Sequence, residues 1–338
     1  ADSNHPSTGG RWPNDAVYSI DRWTSAEERS YNMVFNPGDL NGNGHDDLLA
    51  IRSVQTSNSI QYSDIYFQSN LGLRSSETLL TENLVGYEMN GVKPQNSAAF
   101  GKIDHQWNTH DNGVQDDWVL CYGYDHANPP ANIEVGIRWM SGTEGYTGNF
   151  DSQRYRIGGI FQATTIYGGT TGSKAACLDV EIGDVTGDGI SDVVTVHKAY
   201  YQAAPINAWK HGFIALWIND GLPRFRTNRD WEHIEVYSTG LFEVYPSQLA
   251  LADIDLDGDL DIVTVVVAEG SSNVGEIAKK TGVHWHENVN SDGTVWIVHN
   301  VDISISEPVA VEVADMDGDG TTDIVCTTTG DKNNIKPS

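Results

Sequence analysis

Basic side chains are scarce in this sequence. Twenty Lys and Arg stand against 47 Asp and Glu, for a formal net charge of −27. A field of that sign repels nucleic acid and anionic membrane surfaces, so neither is an expected partner. Cysteine is scarce too: Cys121, Cys177 and Cys326 are too few for a disulfide framework and allow at most one intrachain bridge. Long apolar runs are missing, with nothing near the ~20 residues that span a bilayer, so membrane insertion is not expected. The opening ADSNHPSTGG has neither an initiator Met nor a charged-then-apolar leader and reads as the start of a processed chain. No Asn-x-Ser/Thr sequon occurs, which argues against N-linked glycans and leaves O-linked decoration of the Ser/Thr-rich loops open. No nucleophile elbow, phosphate-binding loop or zinc-hydrolase signature is present either.

What the sequence does hold is a recurring acidic loop. GDLNGNGHDDLLAI (38–51), GDVTGDGISDVVTV (183–196), ADIDLDGDLDIVTV (252–265) and ADMDGDGTTDIVCT (314–327) share one frame. Asp opens it, an oxygen-bearing residue follows at position 3, Asp or Asn at 5, Gly at 6 and Asp at 9, and a β-branched apolar run comes next. An interrupted fifth copy (101–121) reads with Asp104 at its start, Asn112-Gly113 in its middle and Asp116 or Asp117 at its end. The copies recur roughly every 60 to 80 residues, and self-similarity at such a period signals a repeat architecture. Upstream of the loops lie strand-like runs such as LDVEIGD, SQLALAD and VAVEVAD. Downstream come strands with a bulky aromatic (DIYFQSN, VGIRWMSG, FIALWIND, GVHWHEN) and then further runs such as WEHIEVYS and VWIVHNVD. Each unit therefore holds about four strands.

This pattern predicts an all-β chain, residues 1–338 as one β-propeller of four-stranded blades, with the acidic loops between first and second strands. Five loops imply about five blades; seven is the alternative. The last unit shows only its first two strands, and residues 1–30, notably DAVYSIDRWT (15–24), are the unassigned segment expected to complete it. Completion within one molecule closes a ring, whereas completion of a neighbouring copy gives a homo-polymer or filament.

The D-x-[DN]-x-[DN]-G-x-x-D loop, with LWINDG (216–221) and WHENVNSDG (285–293) after it, resembles the FG-GAP or VCBS repeats of secreted and cell-surface β-propellers, including the integrin head. The resemblance covers almost the whole chain. It implies calcium at the loops and a secreted or cell-surface location, and it leaves function open among adhesion heads, lectins, toxin components and polysaccharide lyases.

The residues independently suit a hard cation. Side chains at 1, 3 and 5 of a tight loop converge, Gly at 6 allows the sharp turn, and the carboxylate at 9 closes an oxygen cage of the kind calcium accepts. The expected ligand sets are Asp39, Asn41, Asn43 and Asp47; Asp184, Thr186, Asp188 and Asp192; Asp253, Asp255, Asp257 and Asp261; and Asp315, Asp317, Asp319 and Asp323. The last two carry the most charge and should bind best. A solvated acidic turn needs no metal, but four copies before four strands outweigh that bland reading. Extracellular modules of this type bind calcium at ~10⁻⁴ to 10⁻³ M, which also favours secretion.

No catalytic set is evident. His284 and His286 alternate on one strand and lack a third metal ligand. Phe67, Trp139, Trp217 and Trp285 occupy what reads as one repeated place and so belong in the core. Trp107, Tyr124, Trp209 and Trp231 lie off the repeat and are freer to stack on sugars. The expectation is a non-catalytic binding, adhesion or assembly module for glycans or extracellular proteins. The rival is a polysaccharide lyase using His105, His110, His126 or Arg138.

Overall fold

The computed structural model describes residues 28–35, 48–56, 59–68, 79–81, 95–101, 103, 117–122, 136–140, 154–158, 174–203, 206–221, 231–240, 244–268, 281–305 and 307–328. Among them every regular element is a β-strand. The first sheet holds β1 (Glu28–Phe35), β2 (Leu48–Thr56), β3 (Ser59–Gln68) and β4 (Leu79–Thr81). The second holds β5 (Gln95–Gly101), β6 (Asp117–Tyr122), β7 (Gly136–Met140) and β8 (Arg154–Gly158). In the third are β9 (Lys174–Gly183), β10 (Asp192–Ala203), β11 (Ile206–Ile218) and β12 (Glu232–Ser238). The fourth contains β13 (Val244–Ala252), β14 (Asp261–Ala268), β15 (Gly282–Asn288) and β16 (Trp296–Asp302), and the fifth only β17 (Pro308–Ala314) and β18 (Asp323–Thr328). Each sheet is an antiparallel meander in chain order, and none closes on itself. The all-β reading and the four-strand unit are thereby borne out.

Burial follows position within a sheet. The second strand β14, DIVTVVVA, is buried over its first six residues on both faces, which explains its unbroken β-branched run. The fourth strand β16 is largely exposed. Successive sheets pack through their first strands, β5 on β9, β9 on β13 and β13 on β17. Val185, Val194, Val196, Ile214, Leu216, Leu249 and Ile262 fill the third–fourth junction. Ala250, Val263, Val265, Val283 and Val311 fill the fourth–fifth. At Gly212 a Cβ would stand 2.4 Å from Tyr245 and Pro246, so only glycine lets these two sheets meet there. The sequence left cysteine pairing open. Cys121 on β6 and Cys177 on β9 form a disulfide across the second and third sheets, closing a loop whose length is worth about 4 kcal/mol by chain entropy, and Cys326 is a free thiol.

Two expectations need correction. Asp117 heads β6 and pairs with Gly101, as Asp192 pairs with Gly183 and Asp261 with Ala252. The residue after Gly101, and hence at position 1 of the second copy, is Lys102, so Asp104 falls at position 3. The extra residues between them hid that frame. The second correction concerns the aromatics. Trp217 pairs with Val193, next to Asp192, but Trp285 pairs with Val263, two residues past Asp261. The counterpart of Trp217 is therefore His286, while Trp285 matches Trp139 and Phe67, whose partners Val119 and Leu49 stand likewise. One residue of offset moves a side chain to the other face of a sheet. Trp217 is 1% exposed and donates to Thr195, whereas Trp285 is half-buried and stacks on His299.

Candidate metal centre

Three of the four ligand sets lie within the described residues; Asp39, Asn41, Asn43 and Asp47 lie outside them. Each described loop joins the first to the second strand of its sheet. Its backbone alternates in hand: position 4 (Gly187, Leu256, Gly318) has φ of 68°, 65° and 78°, and the glycine at position 6 (Gly189, Gly258, Gly320) has 85°, 100° and 89°. These left-handed residues curl the chain so that its amides point inward.

The carboxylate at position 1 takes up those amides. Asp184 accepts from the Asp188 and Gly189 N–H groups, Asp253 from Asp257 and Gly258, and Asp315 from Gly318, Asp319 and Gly320, all at 2.7–3.1 Å. Position 9 closes the loop. Oδ2 of Asp192, Asp261 and Asp323 accepts from the N–H of Val185, Ile254 and Met316 respectively, and Asp192 also accepts from the Thr186 N–H and hydroxyl. Carboxylate oxygens of Asp253, Asp255 and Asp261 gather within 4.8 Å of one another, as do those of Asp315, Asp317 and Asp323. Position 5 is used differently: Asp188, Asp257 and Asp319 each accept the N–H two residues on, at 2.8–3.2 Å. In the fourth and fifth sheets the structure thus brings positions 1, 3 and 9 together, and in all three loops position 5 holds the backbone two residues on.

Burial makes this arrangement electrostatically costly. Asp192 is wholly buried, and desolvation pushes it up to about 6 in spite of the hydrogen bonds from Asn219 and Thr186. Asp261 is raised by burial as well. So is Asp259, whose two side-chain oxygens are inaccessible and make no hydrogen bond of good geometry. Convergent, partly desolvated carboxylate oxygens fit a hard divalent cation, which would supply the missing positive charge.

The asparagine after the third strand, whose role local sequence does not disclose, ties adjacent sheets together. The Asn219 N–H donates to Asp192 Oδ1 at 2.9 Å, and its Nδ2 reaches the Ile103 carbonyl of the second sheet at 3.0 Å. The Asn288 N–H donates to Asp261 Oδ1 at 2.8 Å, and its Nδ2 reaches the Val185 carbonyl of the third sheet at 2.9 Å. Each Asn is buried and ties the closing carboxylate of its own loop to the corresponding loop of the preceding sheet. Since the Val185 N–H donates to Asp192, one buried chain of hydrogen bonds runs from Asp261 through Asn288, Val185, Asp192 and Asn219 to Ile103. The only feature of the quoted motifs that both latches share is the Asn itself, two residues past Trp217 in LWINDG and two past His286 in WHENVNSDG.

Other candidates fare differently. His284 and His286 are buried, His286 bonds the Thr264 hydroxyl at 3.0 Å, and burial drops it to about 3, so it is neutral. Neither joins a cluster able to hold an ion among the described residues. Trp231 is buried and not available for sugar stacking. Trp107, Tyr124, His105, His110 and His126 lie outside the described residues. Arg138 and Trp209 lie on β7 and β11. No family model matches the chain, and no curated protein matches it, so the likeness to FG-GAP and VCBS repeats stands on its residues alone.

Proposed function

We propose that this chain is a calcium-stabilised, five-bladed β-propeller that works outside the cell as a non-catalytic binding or adhesion module. Its loops would recognise glycans or extracellular proteins, and it would serve in an extracellular assembly. One observation carries the reading: the same carboxylate-rich loop, with the same backbone hand and the same closing Asp, recurs at the same strand junction in three successive sheets. Face-to-face packing of meander sheets in chain order supports radial repetition. The Cys121–Cys177 bridge supports an oxidising compartment. Calcium would be held by positions 1, 3 and 9, with position 5 and water completing the shell, and would neutralise charge and lock the loops.

Metal content and melting temperature of the purified chain, with millimolar calcium and with chelator, test the cation. The reading predicts bound calcium and a melting temperature that falls on chelation; equal melting without bound metal overturns it. A glycan array coupled to a product assay then tests the role, and unsaturated sugar products would replace the module with a lyase.

A further inference from the structure

The fourth sheet's loop differs from its neighbours at position 7. Ile190 stands there in the third sheet's loop and Thr321 in the fifth's, whereas the fourth has Asp259. This residue is 8% exposed, and both of its carboxylate oxygens are shut off from water without a hydrogen bond of good geometry. The other buried aspartates among the described residues, Asp179, Asp192 and Asp261, each accept at least one backbone N–H. Asp259 alone does not. A buried carboxylate without a donor is costly, and such a group calls for a compensating partner such as an ion.

What surrounds Asp259 is more negative charge. The charges of Asp257, Asp261 and Asp255 all act on it, that of Asp257 most strongly, and the Ser291 hydroxyl lies beside it. Asp257 Oδ1 accepts the Asp259 N–H at 3.2 Å. Yet the oxygens that gather in this loop are those of Asp253, Asp255 and Asp261, which leaves Asp257 and Asp259 outside the group. Five aspartates thus share nine residues, against three in loop 184–192 and four in loop 315–323. A single divalent cation held by positions 1, 3 and 9 would offset two of the five charges and would still leave Asp259 without a partner.

We propose that the fourth sheet's loop takes a second hard divalent cation, bound by both Asp259 oxygens and the Ser291 hydroxyl, with the Asp257 carboxylate shared between the two cations and water completing the shell. This rests on reading the loops as calcium sites. Calcium suits the place because it accepts a bidentate carboxylate in an irregular oxygen shell, whereas magnesium demands near-ideal octahedral geometry. The ion has a mechanical role. Ser291 lies in the turn between β15 and β16, and its carbonyl oxygen is 2.8 Å from where a Gly187 Cβ would stand, so that turn rests directly on the third sheet's loop. Tethering the turn to loop 253–261 fastens the third–fourth junction at its loop end.

Equilibrium dialysis of the full chain against calcium, with bound metal counted by elemental analysis, tests the second site. Asp259→Asn keeps the shape of the side chain and removes its charge. It should bind one calcium fewer than the parent at saturation, while its melting temperature in chelator should equal or exceed the parent's, because a buried charge is gone. Ser291→Ala, at an exposed residue, should weaken one binding step several-fold and leave the others, and Asn290→Ala should change none. Equal count and equal affinity in parent and Asp259→Asn overturn the proposal and make Asp259 a neutral carboxyl. An equal count with one step weakened also overturns it, since Asp259 then serves the first cation. Should Asp259→Asn fail to fold, the Ser291→Ala titration decides, and the absence of a weakened step overturns the proposal. A parent that binds no calcium sinks the calcium reading and this inference together. A parent that binds calcium and melts lower in chelator, with no ion lost in Asp259→Asn, sinks this inference alone.

Discussion

The third and fourth sheets are built on one plan, and three of the positions at which they differ, besides Asp259, carry consequences. Loop 184–192 has Thr186 and Gly187 where loop 253–261 has Asp255 and Leu256, and β9 carries Glu181 where β13 carries Ala250. The backbone hand, the closing Asp and the Asn latch are nonetheless the same in both. Architecture is therefore set by the glycine and Asp–Asn positions. The variable positions are left to adjust charge, strain and cation affinity.

The strongest way to break the comparison is to remove what the two sheets share. Asn288→Ala leaves the Val185 carbonyl and the Gly293 N–H, both buried, without their partner. Each unmet buried group costs ~1–3 kcal/mol, so the loss should be about 3 kcal/mol in urea unfolding. Asn290→Ala, at an exposed residue two positions on whose bonds to Thr294 and Val295 water can replace, should lose no more than about 1 kcal/mol. Equal effects would mean that the latch contributes nothing beyond its surface.

The next difference is Glu181. Burial, helped by Asp179 and Glu312, pushes its carboxyl from 4.5 up to about 8. The folded state then holds a proton that the unfolded chain has already released. The penalty is absent below pH 4.5, grows as pH rises from there to the folded value of about 8, and is complete above it. Glu181→Gln should accordingly match the parent near pH 4 and exceed it at pH 8.5, by on the order of 2 kcal/mol. Subtracting parent from variant at each pH removes contributions from the other carboxylates. A pH-independent difference would place Glu181 in water.

How much of this could be read from sequence depended on what each feature leaves behind. The loops and their strands were legible because Asp and Gly at fixed positions answer local needs, an inward carboxylate and a positive φ, that few other residues meet. The frame of the second copy was not, since the residues between Ile103 and Asp117 separate two partners that only the Gly101–Asp117 pairing reunites. The faces of Trp217 and Trp285 were illegible for a related reason: each is a Trp shortly before an Asn, and a single residue of offset shows only in cross-strand register. The latch was visible as a motif but mute, because its meaning lies in a carbonyl of another sheet.

Thr186→Asp would convert the third sheet's loop toward the fourth's. The Thr186 hydroxyl and N–H both donate to Asp192 Oδ2, at 3.0 Å each. A carboxylate at that site loses the hydroxyl donation and repels Asp192 when no cation is present. It also adds a charged ligand when one is. Calcium affinity of that loop should rise about tenfold, while stability in chelator falls. Calorimetric titration against the parent measures the first, and urea unfolding in chelator the second. Tighter binding without the loss in chelator would mean that the two carboxylates do not share one centre.

The smallest expected effect is at position 4. Gly187 and Gly318 meet the left-handed backbone at no steric cost, but Leu256 holds φ of 65° with a side chain that is 57% exposed. A β-carbon in that region costs roughly 1–2 kcal/mol, and an exposed leucine recovers little of it through burial. Replacing it by glycine releases that strain and gives back part of the gain through the greater freedom of the unfolded chain. Leu256→Gly should therefore stabilise the protein by about 0.5 kcal/mol, and the increment should survive in chelator because it belongs to the backbone and not to the cation. Leu256→Ala keeps the β-carbon and should leave stability nearly unchanged. If alanine stabilised as much as glycine, exposed apolar surface and not backbone hand would be what separates this loop from its neighbour.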